Sequence, residues 1–107
     1  MSKINLTYKD KEYTLEYTRQ SVRTMEAQGF TPADAETKPV TMIPILFGGA
    51  FQRHHKGMSR ALQDEIYDEI GNKSALLEVL GQMYAETLMT LLGDKEDEGN
   101  VTWAVNK

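Results

Sequence analysis

Apolar and polar residues alternate at the start of the chain, and the period then lengthens to three or four. In KINLTYKDKEYTLEY, Ile4, Leu6 and Tyr8 take every second position, as do Tyr13, Leu15 and Tyr17. A period of two puts each trio on one face of a strand, so residues 3–17 predict a β-hairpin. Its turn, Lys9-Asp10-Lys11-Glu12, contains no glycine and leaves the turn type open. A lone hairpin is marginal in water, so one face must lie on helices. Its outer edge could instead recruit another chain by strand addition.

From Thr18 the helical period takes over. Thr18 is placed to cap a helix through about Gln28, with Val22 and Met25 inward and Gly29 as the stop. Residues 31–39 read as a loop or single turn around Thr31-Pro32. The most apolar run follows, PVTMIPILFGGAFQRHH, from Pro39 to His55. Thr41 as N-cap predicts a helix over 41–55, with Pro44 in the first turn where a missing N–H is harmless. Ile43, Leu46, Phe47, Ala50, Phe51 and His54 then form one broad stripe. Ser59 caps a helix over 59–70, with Leu62, Ile66 and Ile70 on its dry side. A last helix over 74–92 carries Leu76, Leu77, Leu80, Met83, Tyr84, Leu88 and Leu91. The fold class is therefore mainly α with an N-terminal β-hairpin (α+β), a small helical domain of about four helices. Residues 1–93 form one domain and 94–107 an acidic, flexible C-terminal tail. In that tail Val101, Trp103 and Val105 alternate like a short strand or a docking peptide.

Composition narrows the function. There is no cysteine among 107 residues, which removes disulfides and thiol chemistry and suits a reducing cytoplasm. No apolar run reaches the roughly 20 residues of a membrane span, and the charged start MSKINLTYKD is unlike a secretion signal. Residues 1–57 hold eight Lys/Arg and six Asp/Glu, whereas 58–107 hold four and ten. An acidic second half disfavours nucleic acid, whose binding depends on cations neutralising phosphates, and favours a protein partner.

Candidate chemistry is sparse. His54 and His55 are neighbours, about 100° apart on a helix, and cannot share a face as an i, i+4 metal pair does. They read as structural, with His55 at a helix C-terminus where a cation is favoured. Asp64, Glu65, Asp68 and Glu69 read as a solvated face, because catalytic carboxylates need burial or a close partner. No phosphate loop or nucleophile elbow occurs. The expectation is a protein that is not an enzyme and uses no metal or cofactor. Gly48-Gly49, placed in mid-helix, should each cost about 1 kcal/mol against alanine, so a close approach or a bend should compensate. They share a face with Met42 and Ile45. That face is a second contact surface, used either by a neighbouring element of the same chain or by another chain; in the second case Met42, Ile45, Gly48 and Gly49 are the candidate partner-binding surface, with Trp103 as a tail anchor. Met42, Met58 and Met89 are the methionines expected to be exposed on such a face, since methionine suits a surface that accepts many sequences; the alternative is that methionines only fill gaps in the core.

The order of elements also carries a resemblance. A charged hairpin leads into a helix ending Met25-Glu26-Ala27-Gln28-Gly29-Phe30. A Pro-led helix with Leu46-Phe47-Gly48-Gly49-Ala50-Phe51 closes in His54-His55. An acidic helix, LLEVLGQMYAETLMTLL and Asn100-Val101-Thr102-Trp103 follow. Over about residues 3–105 this resembles the tail assembly chaperones of long, non-contractile-tailed phages and their prophage remnants. The resemblance implies binding to the tape measure protein, which is kept soluble while the tail tube protein polymerises around it. It also implies possible self-association, residence in the host bacterial cytoplasm and absence from the mature virion. The competing expectation is a minor structural virion or head–tail connector protein forming an oligomeric ring.

Overall fold

The computed structural model describes residues 2–93, 101 and 103–105. Along the chain these form β1 (Ile4–Tyr8), β2 (Lys11–Leu15), α1 (Arg19–Ala27), a 3-10 turn (Pro32–Asp34), α2 (Pro39–Gly49), α3 (Arg60–Asp68) and α4 (Lys73–Leu92). The class is the α+β one expected, a two-stranded antiparallel hairpin leading into four helices among the described residues.

The hairpin pairs Ile4 with Leu15, Leu6 with Tyr13 and Tyr8 with Lys11. That register leaves a two-residue turn, Lys9-Asp10, with φ of +50° and +63°. Two left-handed residues match the twist of the flanking strands, at the steric penalty a Cβ brings to that region. Tyr13, Leu15 and Tyr17 are buried, and Ile4, Leu6 and Tyr8 pack against the same core from a more open position. Tyr8 donates to Glu65 on α3 (2.7 Å), and Ser2 Oγ to Glu86 on α4 (2.9 Å), so the hairpin is tied down at both ends.

Helix α1 begins in a reciprocal cap, Ser21 N–H donating to Thr18 Oγ1 (3.0 Å) and Thr18 N–H to Ser21 Oγ (2.8 Å). It stops before Gly29, whose φ of +95° reverses the chain. Phe30 then folds back into the core, its N–H on Met25 O (3.0 Å).

Helix α2 is the centre of the core and packs against α1, α3 and the 3-10 turn. Its bounds differ from the expected 41–55 at both ends. It starts at Pro39, with Lys38 as an N-cap that makes no side-chain bond, so Pro44 lies inside the helix rather than in its first turn. A proline at the first helical position supplies the right φ without any cap. The helix ends at Gly49, so the glycine pair closes it instead of interrupting it. Three contacts make that ending stable. Ala50 N–H bonds Phe47 O (3.2 Å), one residue short of helical spacing. The Tyr17 hydroxyl takes Leu46 O (2.5 Å) in the buried core. Ala50 O accepts Glu16 N–H (2.9 Å) from the end of the hairpin. Two carbonyls at the helix terminus, a place that leaves such groups unpaired, are thus satisfied by Glu16 and Tyr17, the residues just after β2.

Helix α3 starts at the predicted cap, Ser59 Oγ accepting Leu62 N–H (3.1 Å). It buries Ile66 and Gln63. Helix α4 follows Asn72, which is left-handed at φ +55°, and buries Leu80, Met83, Tyr84 and Thr87. Its predicted stripe fades toward the end: Leu91 is exposed, as are Met89 and Leu92. Most of the expected acidic tail, 94–107, lies outside the described residues. Val101, Trp103 and Val105 are exposed and belong to no strand.

Candidate functional site

Because α2 is apolar on nearly every side, its neighbours decide which surface is left over. Its buried positions are Met42, Ile45, Leu46 and Phe47, continued by Ala50 and Phe51. The remaining side, Val40, Ile43 and Pro44, meets Phe47 and Tyr67 in an open groove of about 490 Å³ between α2 and α3. The two aromatic rings stand edge to face, centroids 5.2 Å apart, and stiffen the floor. Val40 is 88% exposed at the lip. Pro44 has no N–H to give to the Val40 carbonyl one turn back, which loosens the helix at that lip. Asp64 and Asp68 form the acidic rim.

This places the free apolar face about one residue round from where the stripe predicted it. Met42 and Ile45, expected to face a partner, are core residues at 4% and 7% exposure. The Met42 sulfur accepts Thr31 N–H (3.5 Å), so it serves the loop that precedes its own helix. Of the three methionines expected to be exposed, Met89 is, Met58 is half-buried and Met42 is buried. The physical reason is that a segment apolar all round carries no preferred phase. Leu46, Phe47, Ala50 and Phe51 are buried as expected. Val40, Pro44 and Tyr67 were missed; Pro39, suited to the first helical position, was the signal that Val40 lies within the helix.

Gly48 and Gly49 are met by the chain's own helices. An ideal Cβ on Gly49 would lie 2.5 Å from Met25 Sδ, and one on Gly48 2.5 Å from Gln63 Oε1. The close approach that the glycines permit is therefore internal, of α1 and α3 onto α2. Both glycines also line a second, polar groove of about 430 Å³, bounded by Gln28, Gln52, Lys56 and Arg60. Trp103 is 84% exposed. The candidate residues thus separate into two core positions, two groove-lining positions and one exposed aromatic.

The histidines join the hairpin to the turn after α2. His54 Nε2 meets Glu16 Oε1 at 2.7 Å, and that bond holds the Glu16 carboxyl below its ordinary range. His55 Nε2 accepts Thr14 N–H (3.0 Å), so the ring's proton sits on Nδ1. Burial lowers the His55 pKa, helped by His54 and Lys11 nearby. The expectation of a cationic His55 at a helix C-terminus is corrected on both counts: α2 has ended six residues earlier, and the ring is held as a neutral acceptor. Burial also pushes the Tyr17 phenol far above its usual range, which keeps it a donor to Leu46 O. Among the described residues no group of three or more potential metal ligands occurs, and no helix is long and apolar enough to cross a membrane.

A family model described as a domain of unknown function (DUF5055) matches residues 1–107. No curated protein and no solved structure matches the chain.

Proposed function

We propose that this chain, which belongs to the DUF5055 family over residues 1–107, is a non-enzymatic binding module, a tail assembly chaperone acting on the tape measure protein of a long-tailed phage or prophage. The observation that supports this reading is the apolar groove between α2 and α3. A tape measure protein is a long helical chain whose apolar stripes have no partner until the tube encloses them, and exposed apolar surface of that extent aggregates. The groove offers Val40, Ile43, Pro44, Phe47 and Tyr67 to such a stripe, as in helix-in-groove recognition. Asp64 and Asp68 on the rim select helices whose flanks carry lysine or arginine. The exposed Met89, Leu91 and Leu92 at the end of α4 provide a further apolar strip. The protein acts in the host cytoplasm, binds neither nucleic acid nor membrane, and is left out of the finished particle.

Co-expression with the tape measure protein of a long-tailed phage or prophage that carries this chain tests the proposal. Wild-type chain should raise that protein's solubility and co-purify with it. Val40→Glu alters an exposed side chain, so folding should persist while capture is lost. Absence of a complex, or unchanged capture by Val40→Glu together with Ile43→Glu, would refute the groove reading. Mass spectrometry of purified particles separates this function from a ring-forming connector, which would be present in every virion.

A further inference from the structure

The groove on the other side of α3 has the opposite character. Lys56 and Arg60 line it and no carboxylate does, in a chain with 16 acidic and 12 basic residues. Neither cation takes part in an ion pair among the described residues. The Arg60 guanidinium lies over Gly48, its carbon 3.7 Å from where a Cβ would project. The N-terminal end of α3 adds the positive end of its dipole at the same place.

Gln63 adds a polar group that is open to the groove. It is only 8% exposed, and its amide has no protein hydrogen-bond partner among the described residues, yet neither amide atom is sealed from solvent. Its polar atoms therefore meet water, which a ligand in the groove can displace. Here the amide opens into the groove beside Gln28 and Gln52. Gly48 and Gly49 line the groove as well, beneath the side chains of Gln63 and Met25 that lie over them.

We propose that this groove binds an acidic peptide segment in extended form. Carboxylates pair with Lys56 and Arg60, and the amides of Gln28, Gln52 and Gln63 bond the peptide backbone. An amide presents a donor and an acceptor together, which matches a peptide link, whereas a phosphate offers acceptors only. The site is separate from the apolar groove and from the chaperone reading, and either can fail without the other.

Titration of ¹⁵N-labelled full-length protein with end-capped hexaglutamate at low salt tests the assignment. Saturable shifts should appear at the Gln63 side-chain amide and at the Gly48 and Gly49 backbone, and should weaken as salt is added. Lys56→Gln/Arg60→Gln, which changes two exposed side chains, should keep the melting temperature and weaken binding roughly tenfold. Inorganic phosphate and a short random DNA duplex form the comparison arms. The proposal is overturned if either produces the same shifts at equal concentration, if hexaglutamate moves only resonances outside the groove, or if the double variant binds like wild type.

Discussion

Replacing Gly49 with alanine isolates the approach of α1 to α2. The new Cβ would stand 2.5 Å from Met25 Sδ and 2.6 Å from its Cγ, with Cε at 3.5 Å. Carbon contacts settle near 3.5–4.0 Å, so Met25 must move by about an ångström. Met25 is fully buried at 0% exposure and would have to be pushed out of its packed site toward the polar groove it borders. Forcing a methyl into packed space costs about 1–3 kcal/mol, and the better helix propensity of alanine returns at most ~1 kcal/mol. The expected net loss is about 1–2 kcal/mol, or roughly 5–15 °C in melting temperature for a domain of this size. Gly48→Ala is the internal control. Its Cβ would meet the free end of Gln63, Oε1 at 2.5 Å and Cδ at 3.3 Å. That amide borders the groove and swings aside, so stability should stay within about 0.5 kcal/mol. Urea unfolding of the two variants, of Met25→Ala and of Met25→Ala/Gly49→Ala completes the measurement. Truncating Met25 removes the clash, so the double variant should be more stable than the sum of the singles by ~1 kcal/mol. Equal stability of the two alanine variants, or an additive cycle, would show that Gly49 is not where the helices meet.

Three further outcomes follow from the same contacts. Tyr17→Phe strands the buried Leu46 carbonyl and should lower stability by about 1–3 kcal/mol in urea unfolding. Asn-Gly in place of Lys9-Asp10 relieves two left-handed residues and should raise stability by ~1–2 kcal/mol, because the Lys9–Glu65 pair that it removes is exposed and weak. His55 has a folded pKa below its ordinary 6.5, so the unfolded chain binds more protons there. Stability should be full above that pH and fall as pH drops below it. Glu16 adds a separate loss below its ordinary 4.5. His55→Gln should flatten the first decline in melting temperature against pH and leave the second.

What could be read from the sequence depended on whether local chemistry had a single solution. Thr18, Ser59 and Gly29 mark helix ends through a hydroxyl acceptor or a positive φ, and all three act where expected. Alternation in residues 4–17 gave the hairpin faces because a period of two has only two phases. The phase of α2 was not legible. In PVTMIPILFGGAF almost any stripe is apolar, so the buried side was decided by α1 and α3, which are distant in sequence. The end of α2 was hidden for a similar reason. Gly48 and Gly49 announce a weak point, but the Tyr17 and Glu16 contacts that make it a terminus come from 29 to 34 residues upstream. The grooves inherit both errors: Gly48 and Gly49 were found for their lack of a side chain, while Val40 and Tyr67 were passed over.

The bonds from the hairpin to the turn after α2 have a consequence for how the molecule comes apart. Thr14 N–H on His55 and Glu16 N–H on Ala50 O occupy the outer edge of β2, and Tyr17 holds the last turn of the helix. A two-stranded hairpin would ordinarily open early and expose its amides ahead of the core. Here it cannot lift away without opening the terminus of the central helix, and that terminus cannot close until the hairpin has docked. Strand and helix therefore form one cooperative unit, whose assembly waits on contacts between distant parts of the chain. The N-terminal ribbon, made first on the ribosome, has to wait for residues up to His55 before it has a place to rest.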